Sequence, residues 1–229
     1  MTEIFVNKAQ MAKTASMARQ GLEKSRGRPR SADKNRAILD AASVLFLSVG
    51  FDRVSMDQIA SKAEVSKQTV YGHFKSKEGL FRAVIGHRVS DFFQDDLLGA
   101  IGHRSIEETL NRLGQQYMRL ILSDDAVAMF RILAGNAESH PKLVAMFFEE
   151  GPGRLAQALE SVFLNAHGRG DLICADAQKA SQLFATLLRG DLYLKRTLGL
   201  ASGIETDEIN RHVADVVSTF LKLYPPQEG

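Results

Sequence analysis

The chain has 229 residues, 45% of them hydrophobic, enough for one or two domains with buried cores. Five prolines, no tryptophan and no long alternating β-branched run leave little argument for a sheet, and the single cysteine, Cys174, excludes an intrachain disulfide and a cysteine metal site. Net charge is +2, but it is unevenly placed: residues 1–36 hold nine Lys/Arg against three acids (+6) and the remainder holds 20 against 24 (−4). A basic arm on a near-neutral body points to a polyanion partner.

Residues 1–32 read as a flexible basic arm. They contain no apolar core of a secretory signal. No apolar run in the chain approaches the roughly 18 residues of a membrane span. The expectation is a cytoplasmic protein with no membrane partner, and an unpaired cysteine fits a reducing compartment. Within the arm, Arg26-Gly27-Arg28-Pro29-Arg30 resembles the core of an AT-hook. Arg28 and Arg30 on an extended Gly/Pro backbone suit a narrow A·T minor groove. A solvated linker that aids binding by charge alone is the plainer alternative.

The first helix is expected from Asp33 or Lys34 to Val49, with Ile38, Ala41, Ala42, Leu45, Phe46 and Val49 on one face and Gly50 as a left-handed stop. Ser55 suits the N-cap of a second, short helix carrying Ile59, Ala60 and Ala63. Glu64 and Val65 fall in a tight turn. Ser66 is the N-cap of a third helix over residues 67–74, with Val70 and Phe74 four apart on its inner side. Lys67, Gln68, Thr69, Tyr71 and His73 remain outside, and no acid occurs from Val65 to Lys77. A merely solvated helix is usually filled with Glu and Lys; these side chains suit phosphates and base edges. A helix-turn-helix lays such a second helix in the DNA major groove. An ordinary helical hairpin gives the same spacing. Ser76 caps a fourth, long helix toward Ile101, and Lys77 stands at its N-terminus against the macrodipole. A phosphate at that point would account for a cation there.

These stretches carry a resemblance. R-A-I-L-D-A-A-S-V-L-F-L-S-V-G-F, V-S-M-D-Q-I-A-S-K-A-E-V-S and T-V-Y-G-H-F-K-S-K-E-G-L-F-R-A-V-I, from Arg36 to Ile85, resemble the DNA-binding domain of the TetR (tetracycline-repressor-like) regulators. The resemblance implies an all-α fold: a three-helix head (33–80) and a helical ligand-binding and dimerisation body (81–229). It implies a dimeric, ligand-responsive regulator, most often a repressor, on a palindromic double-stranded DNA operator. An activator, or a regulator without inducer, is the alternative. Lys67, Gln68 and Thr69 would approach bases, with Ser55 at the start of the motif. Ser66, Tyr71, His73 and Lys77 would hold phosphates. Two positions depart from the pattern: Glu64 stands where glycine is usual in the turn, and Gly72 stands where relatives carry a bulkier residue.

The body reads as helical throughout. Ser105-Ile106-Glu107-Glu108 is a capping box. Further helices are expected from Ala126 to about Ser139, from Pro141, and from Leu155 to Ala166 with Gly168 closing it. Gly151-Pro152-Gly153 should kink or break the chain before Leu155. Asp176–Leu198 and Glu205–Tyr224 complete the series. Leu183, Phe184, Leu187 and Leu188, with Ile209, Val213, Val216, Val217, Phe220 and Leu221, form apolar stripes. By resemblance these last two helices pair two subunits; by themselves the stripes would equally be monomer core. Phe130 to Leu198 resembles the C-terminal region of AefR-like members. A small-molecule pocket is implied by resemblance, with Phe92, Tyr117, Met118, Met129, Phe130, Phe147 and Phe184 as candidate lining and Gln116, Asn136 and Arg189 as polar neighbours.

Nothing points to catalysis or a cofactor. The six histidines form no H-x-x-x-H or H-E-x-x-H pattern, and there is no Walker loop, G-x-G-x-x-G or G-x-S-x-G. Asp124-Asp125 and Glu149-Glu150 are adjacent acids that point apart on a helix, and both read as solvated faces.

Overall fold

The structure, a computed structural model, describes residues 30–93 and 105–226, without the side chains of residues 30, 31 and 91–93. The chain divides after Ala37; the described residues from Ile38 onward are one compact unit, and residues 30–37 are helical. The described residues contain helices and no strand: α1 (Arg30–Val49), α2 (Met56–Lys62), α3 (Lys67–His73), α4 (Lys77–Phe93), α5 (Ile106–Ile121), α6 (Asp124–Gly135), α7 (Pro141–Phe148), α8 (Arg154–Arg169), α9 (Ala177–Leu198) and α10 (Thr206–Leu223).

The apolar periodicity of α1 sets the first core. Ile38, Ala42 and Phe46 are essentially sealed from water, beside Ile59, Val70, Leu80 and Phe81. Each such Phe or Ile contributes roughly 1.5–3 kcal/mol of burial. The rings of Phe46, Phe51 and Phe81 meet pairwise at 5.5–5.6 Å. Gly50, at φ +89°, ends α1 as expected and lets Phe51 fold back onto this trio. Met129 and Leu133 of α6 and Leu143 of α7 join the same core, which therefore reaches past the expected boundary at residue 80. The second core is built from α5, α8, α9 and α10, with the rings of Phe163, Phe184 and Phe220 at its centre. Helix α4 runs through the boundary unbroken, giving Phe81, Val84 and Ile85 to the first core and Val89 to the second.

Several boundaries move, each for a local reason. Helix α1 begins at Arg30, inside the expected arm. Helix α6 begins at Asp124, because Ser123 accepts from the Ala126 amide as N-cap, and ends at Gly135. Helix α8 continues past Gly168 to Arg169 and stops at Gly170, which holds φ +78°. Gly151-Pro152-Gly153 does not break the chain: Glu149–Gly153 forms a π turn that joins α7 to α8. Helix α9 is interrupted at Gly190 (φ +40°, ψ −150°). His212 of α10 lies with Nε2 2.7 Å from the Leu188 carbonyl there, and a Cβ on Gly190 would come within 3.2 Å of the His212 ring. A break in a helix frees carbonyls, and a donor from a neighbouring helix satisfies one.

Candidate DNA-recognition face

The helix-turn-helix is set by its two caps. The Ser55 hydroxyl accepts from the Gln58 amide at 3.2 Å while Gln58 Oε1 accepts from the Ser55 amide at 2.8 Å, a reciprocal capping box that fixes the start of α2. The Ser66 hydroxyl accepts from the Thr69 amide at 3.1 Å and lies 2.8 Å from Thr69 Oγ1. Ser55 and Ser66 thus stand at the N-termini of α2 and α3, where free amides gather. Between the helices Glu64 takes φ +54°, the left-handed turn position at which a glycine is usual.

Val70 (0% exposed) and Phe74 (8%) anchor α3 to the first core. Its other side is open. Lys67, Gln68 and Gly72 are exposed, Thr69 and His73 are half-buried, and the Tyr71 ring is 44% exposed. Lys67 Nζ lies 2.8 and 3.0 Å from the two oxygens of Asp57 on α2, and 5.9 Å from the Tyr71 ring centre. The hydrogen bond to Asp57 holds the Lys67 pKa above its ordinary value. Both partners are well exposed, so water screens the pair and the ammonium is readily released. Lys77 is placed differently: its ammonium donates to the carbonyls of Phe51, Asp52 and Val54. Arg28 lies outside the described residues, and Arg30 is the first residue of α1.

The candidate pocket residues fall in different parts of the described structure. Tyr117, Met118 and Phe184 belong to the second core, whereas Met129 belongs to the first, with Phe147 packed on it. Phe130 is at the surface, its ring 5.7 Å from that of Tyr193. The side chain of Phe92 lies outside those described. Of the polar neighbours, Asn136 is exposed. Gln116 Oε1 is buried with no hydrogen-bond partner, as is Asn210 Oδ1. Burial pushes the Tyr117 pKa up, against the pull of the nearby Arg189 guanidinium.

Other expected roles change. The second acid of the pair at 149–150 is not solvated: Glu150 is buried, with Arg82 and Arg154 each 2.7 Å away, because the π turn carries it against α4. Gly86 of α4 leaves the room, since a Cβ there would come within 3.2 Å of Arg154 Nη1. Glu149 remains exposed, 3.1 Å from Arg82. Asp124 accepts from Arg196 and Asp125 from Arg88, so these adjacent acids grip different helices, α9 and α4. Phe184, Leu188, Val213, Val217 and Phe220 are 0% exposed, so the apolar stripes of the last two helices hold the chain's own core. The large apolar residues those helices present to solvent are Leu194, Leu198 and Leu223. Cys174 is buried and burial raises its thiol pKa, which suits a packed small residue.

Comparison with known proteins decides the family. Residues 38–84 match the profile of the TetR family of bacterial regulatory proteins, and residues 108–226 match that of the C-terminal domain of AefR-like transcriptional repressors. The chain belongs to the TetR family. Its fold is similar to that of a TetR-family transcriptional regulator of Mesorhizobium loti MAFF303099 (29% identity, 86% of this chain and 99% of that one, TM-score 0.70). It is also similar to the flavonoid-responsive regulator FrrA (31% identity, 85% and 98%, TM-score 0.67). The transcriptional repressor ComR of Escherichia coli is 37% identical over 78 residues, 34% of this chain and 37% of ComR. The chain spans about a third of the length of the curated relatives it matches first (28% and 37%). These findings make the chain a DNA-binding TetR-family transcription regulator, a family of regulators and not of enzymes. No helix of the described residues is long and apolar enough to cross a membrane.

Proposed function

We propose that the protein is a sequence-specific, ligand-responsive repressor of the bacterial cytoplasm that binds a palindromic operator as a homodimer. One observation carries the reading: α3 presents an acid-free polar face, capped by Ser66 and anchored by Val70 and Phe74, with Tyr71 nearly half exposed. Gln68 and Thr69, with Lys67 once it leaves Asp57, would meet base edges. Ser66, Tyr71 and His73 would meet phosphates, and Arg28 and Arg30 would follow the adjacent minor groove. Two heads must then sit about 34–36 Å apart, one turn of DNA. The outer faces of α9 and α10, including Leu194 and Leu198, would form the subunit contact.

An effector would bind the body and favour a spacing that no longer fits the DNA. The supporting feature is a polar group at the edge of the second core: buried Tyr117, half-buried Arg189 and the unpartnered Gln116 Oε1. The flavonoid-responsive relative makes planar phenols the first class to try.

Selection of bound duplexes from a random DNA pool tests the reading. A palindrome with half-sites one turn apart, released by a phenol from that class, is the expected result. Recovery of unrelated sequences, with binding set by salt alone, would reduce the protein to a non-specific DNA binder. A reporter placed behind the selected operator gives the sign of regulation.

A further inference from the structure

We infer that Lys77 is a positioning residue, a clasp that ties together the two ends of the helix-turn-helix, and not a phosphate contact. Its Nζ lies 2.8 Å from the Phe51 carbonyl oxygen, 3.0 Å from that of Val54 and 3.2 Å from that of Asp52. An ammonium has three protons, and these three acceptors take all of them. The charge also sits 4.5 Å from the Phe51 ring centre, where the π face attracts a cation. The phosphate that would explain a lysine at a helix N-terminus is therefore unnecessary. The unfavourable dipole of α4 is offset within the protein, by carbonyls whose negative ends converge on the ammonium.

The placement gives the clasp its function. Residues 51–54 lead directly into Ser55, the N-cap of α2, and Lys77 opens α4 just after α3 ends at His73. Joining them closes residues 55–74 into a loop whose two ends cannot part, which fixes the angle at which α3 leaves the core. The 51–54 segment has a second tie, for His140 Nε2 lies 2.7 Å from Asp52 Oδ2. Lys75, exposed on the same turn, makes no such contact and serves as the comparison.

The test separates a clasp from a phosphate contact and rests on the DNA-binding reading for one of its two arms only. Melting temperature is measured for Lys77→Met, Lys77→Arg and Lys75→Met. Binding to a duplex selected in vitro by the wild-type protein is measured across a salt series for the same variants. A clasp predicts that Lys77→Met melts lower by roughly 5 °C, while Lys75→Met does not. It also predicts weaker binding at every salt with the slope of log K against log salt unchanged. A lost phosphate contact would take about 0.9 per subunit off that slope, about 1.8 for the dimer. Lys77→Arg keeps the charge, but its planar fork cannot direct three protons at one carbonyl cluster, so it too melts lower and binds more weakly. Should Lys77→Met fail to fold, Lys77→Arg carries the test. A slope reduced by about 1.8, or a Lys77→Arg protein that melts and binds like wild type, overturns the inference. If no duplex is selected, the DNA-binding reading fails separately and the melting temperatures still decide the clasp.

Discussion

Gly72 is the position at which stability and function should respond in opposite directions. It lies in α3 at φ below zero, exposed, and a Cβ built there has nothing within 4 Å. In the free protein Gly72→Ala therefore adds a methyl to open space and relieves the entropic cost of a helical glycine. That gain is about 0.5–1 kcal/mol, or a melting temperature higher by about 1–4 °C in a chain of this size. Gly72 is four residues from Gln68 and three from Thr69, on the face proposed to enter the major groove. In the complex the same methyl meets DNA. Overpacking a close interface costs about 1–3 kcal/mol, which is roughly 5–150-fold in affinity. Thermal unfolding and fluorescence anisotropy on a selected duplex at fixed salt measure the two effects. A variant that is more stable and binds equally well would mean that this face of α3 does not approach DNA closely, and that the glycine is a neutral surface residue.

Other substitutions probe the frame that holds α3 and the body beneath it. Glu64→Gly removes a Cβ from a φ +54° residue and should raise stability in urea by about 0.5 kcal/mol, the relieved strain exceeding the extra freedom of the unfolded chain; Glu64→Ala, which keeps the Cβ, should give no gain. At Gly114 a Cβ would meet Val213 Cγ1 at 2.6 Å and Leu188 Cδ2 at 3.1 Å, all three residues buried. Gly114→Ala should therefore destabilise by about 1–3 kcal/mol. Val213→Ala should recover part of that loss, giving a coupling of about 0.5–3 kcal/mol in a double-mutant cycle; strict additivity would mean that α5 and α10 do not meet there. Glu150→Gln should lower the melting temperature clearly, whereas Glu149→Gln should leave it nearly unchanged, because only Glu150 is buried between two guanidinium groups. Equal effects would show that the π turn does not carry Glu150 inward.

Local chemistry was legible in the chain. Ser55, Ser66, Ser76 and Ser105 cap helices because a hydroxyl beside a free amide is a property of four consecutive residues. The stop at Gly50 follows from the same short range, whereas the left-handed turn at Glu64 was implied by the family resemblance. The anchors Val70 and Phe74 came from spacing. What escaped was set by distant partners. Nothing near Lys77 in sequence announces the carbonyls of residues 51–54 more than twenty positions earlier, and a cation against a helix dipole suggested a phosphate instead. Glu150 looked like its neighbour until the π turn and Gly86 gave it two arginines. The stripes on α9 and α10 mark burial, but periodicity does not say whether the covering surface belongs to the same chain. One missed feature was readable: Gln58, three residues after Ser55, completes a capping box.

The account's central claim is that the outer face of α3 reads DNA sequence. The most direct measurement is the affinity of wild type and of a Gln68→Ala/Thr69→Ala variant for a selected duplex and for a scrambled one, by anisotropy at the same salt. Gln68 is exposed and Thr69 is half-buried with its Oγ1 against the Ser66 hydroxyl, so the variant should fold and melt close to wild type. The account predicts that it loses most of its preference for the selected duplex, each lost base contact costing about 1–3 kcal/mol of discrimination, while its affinity for the scrambled duplex holds. A folded variant that keeps the full preference would contradict the claim and place sequence recognition elsewhere, the basic arm being the first candidate.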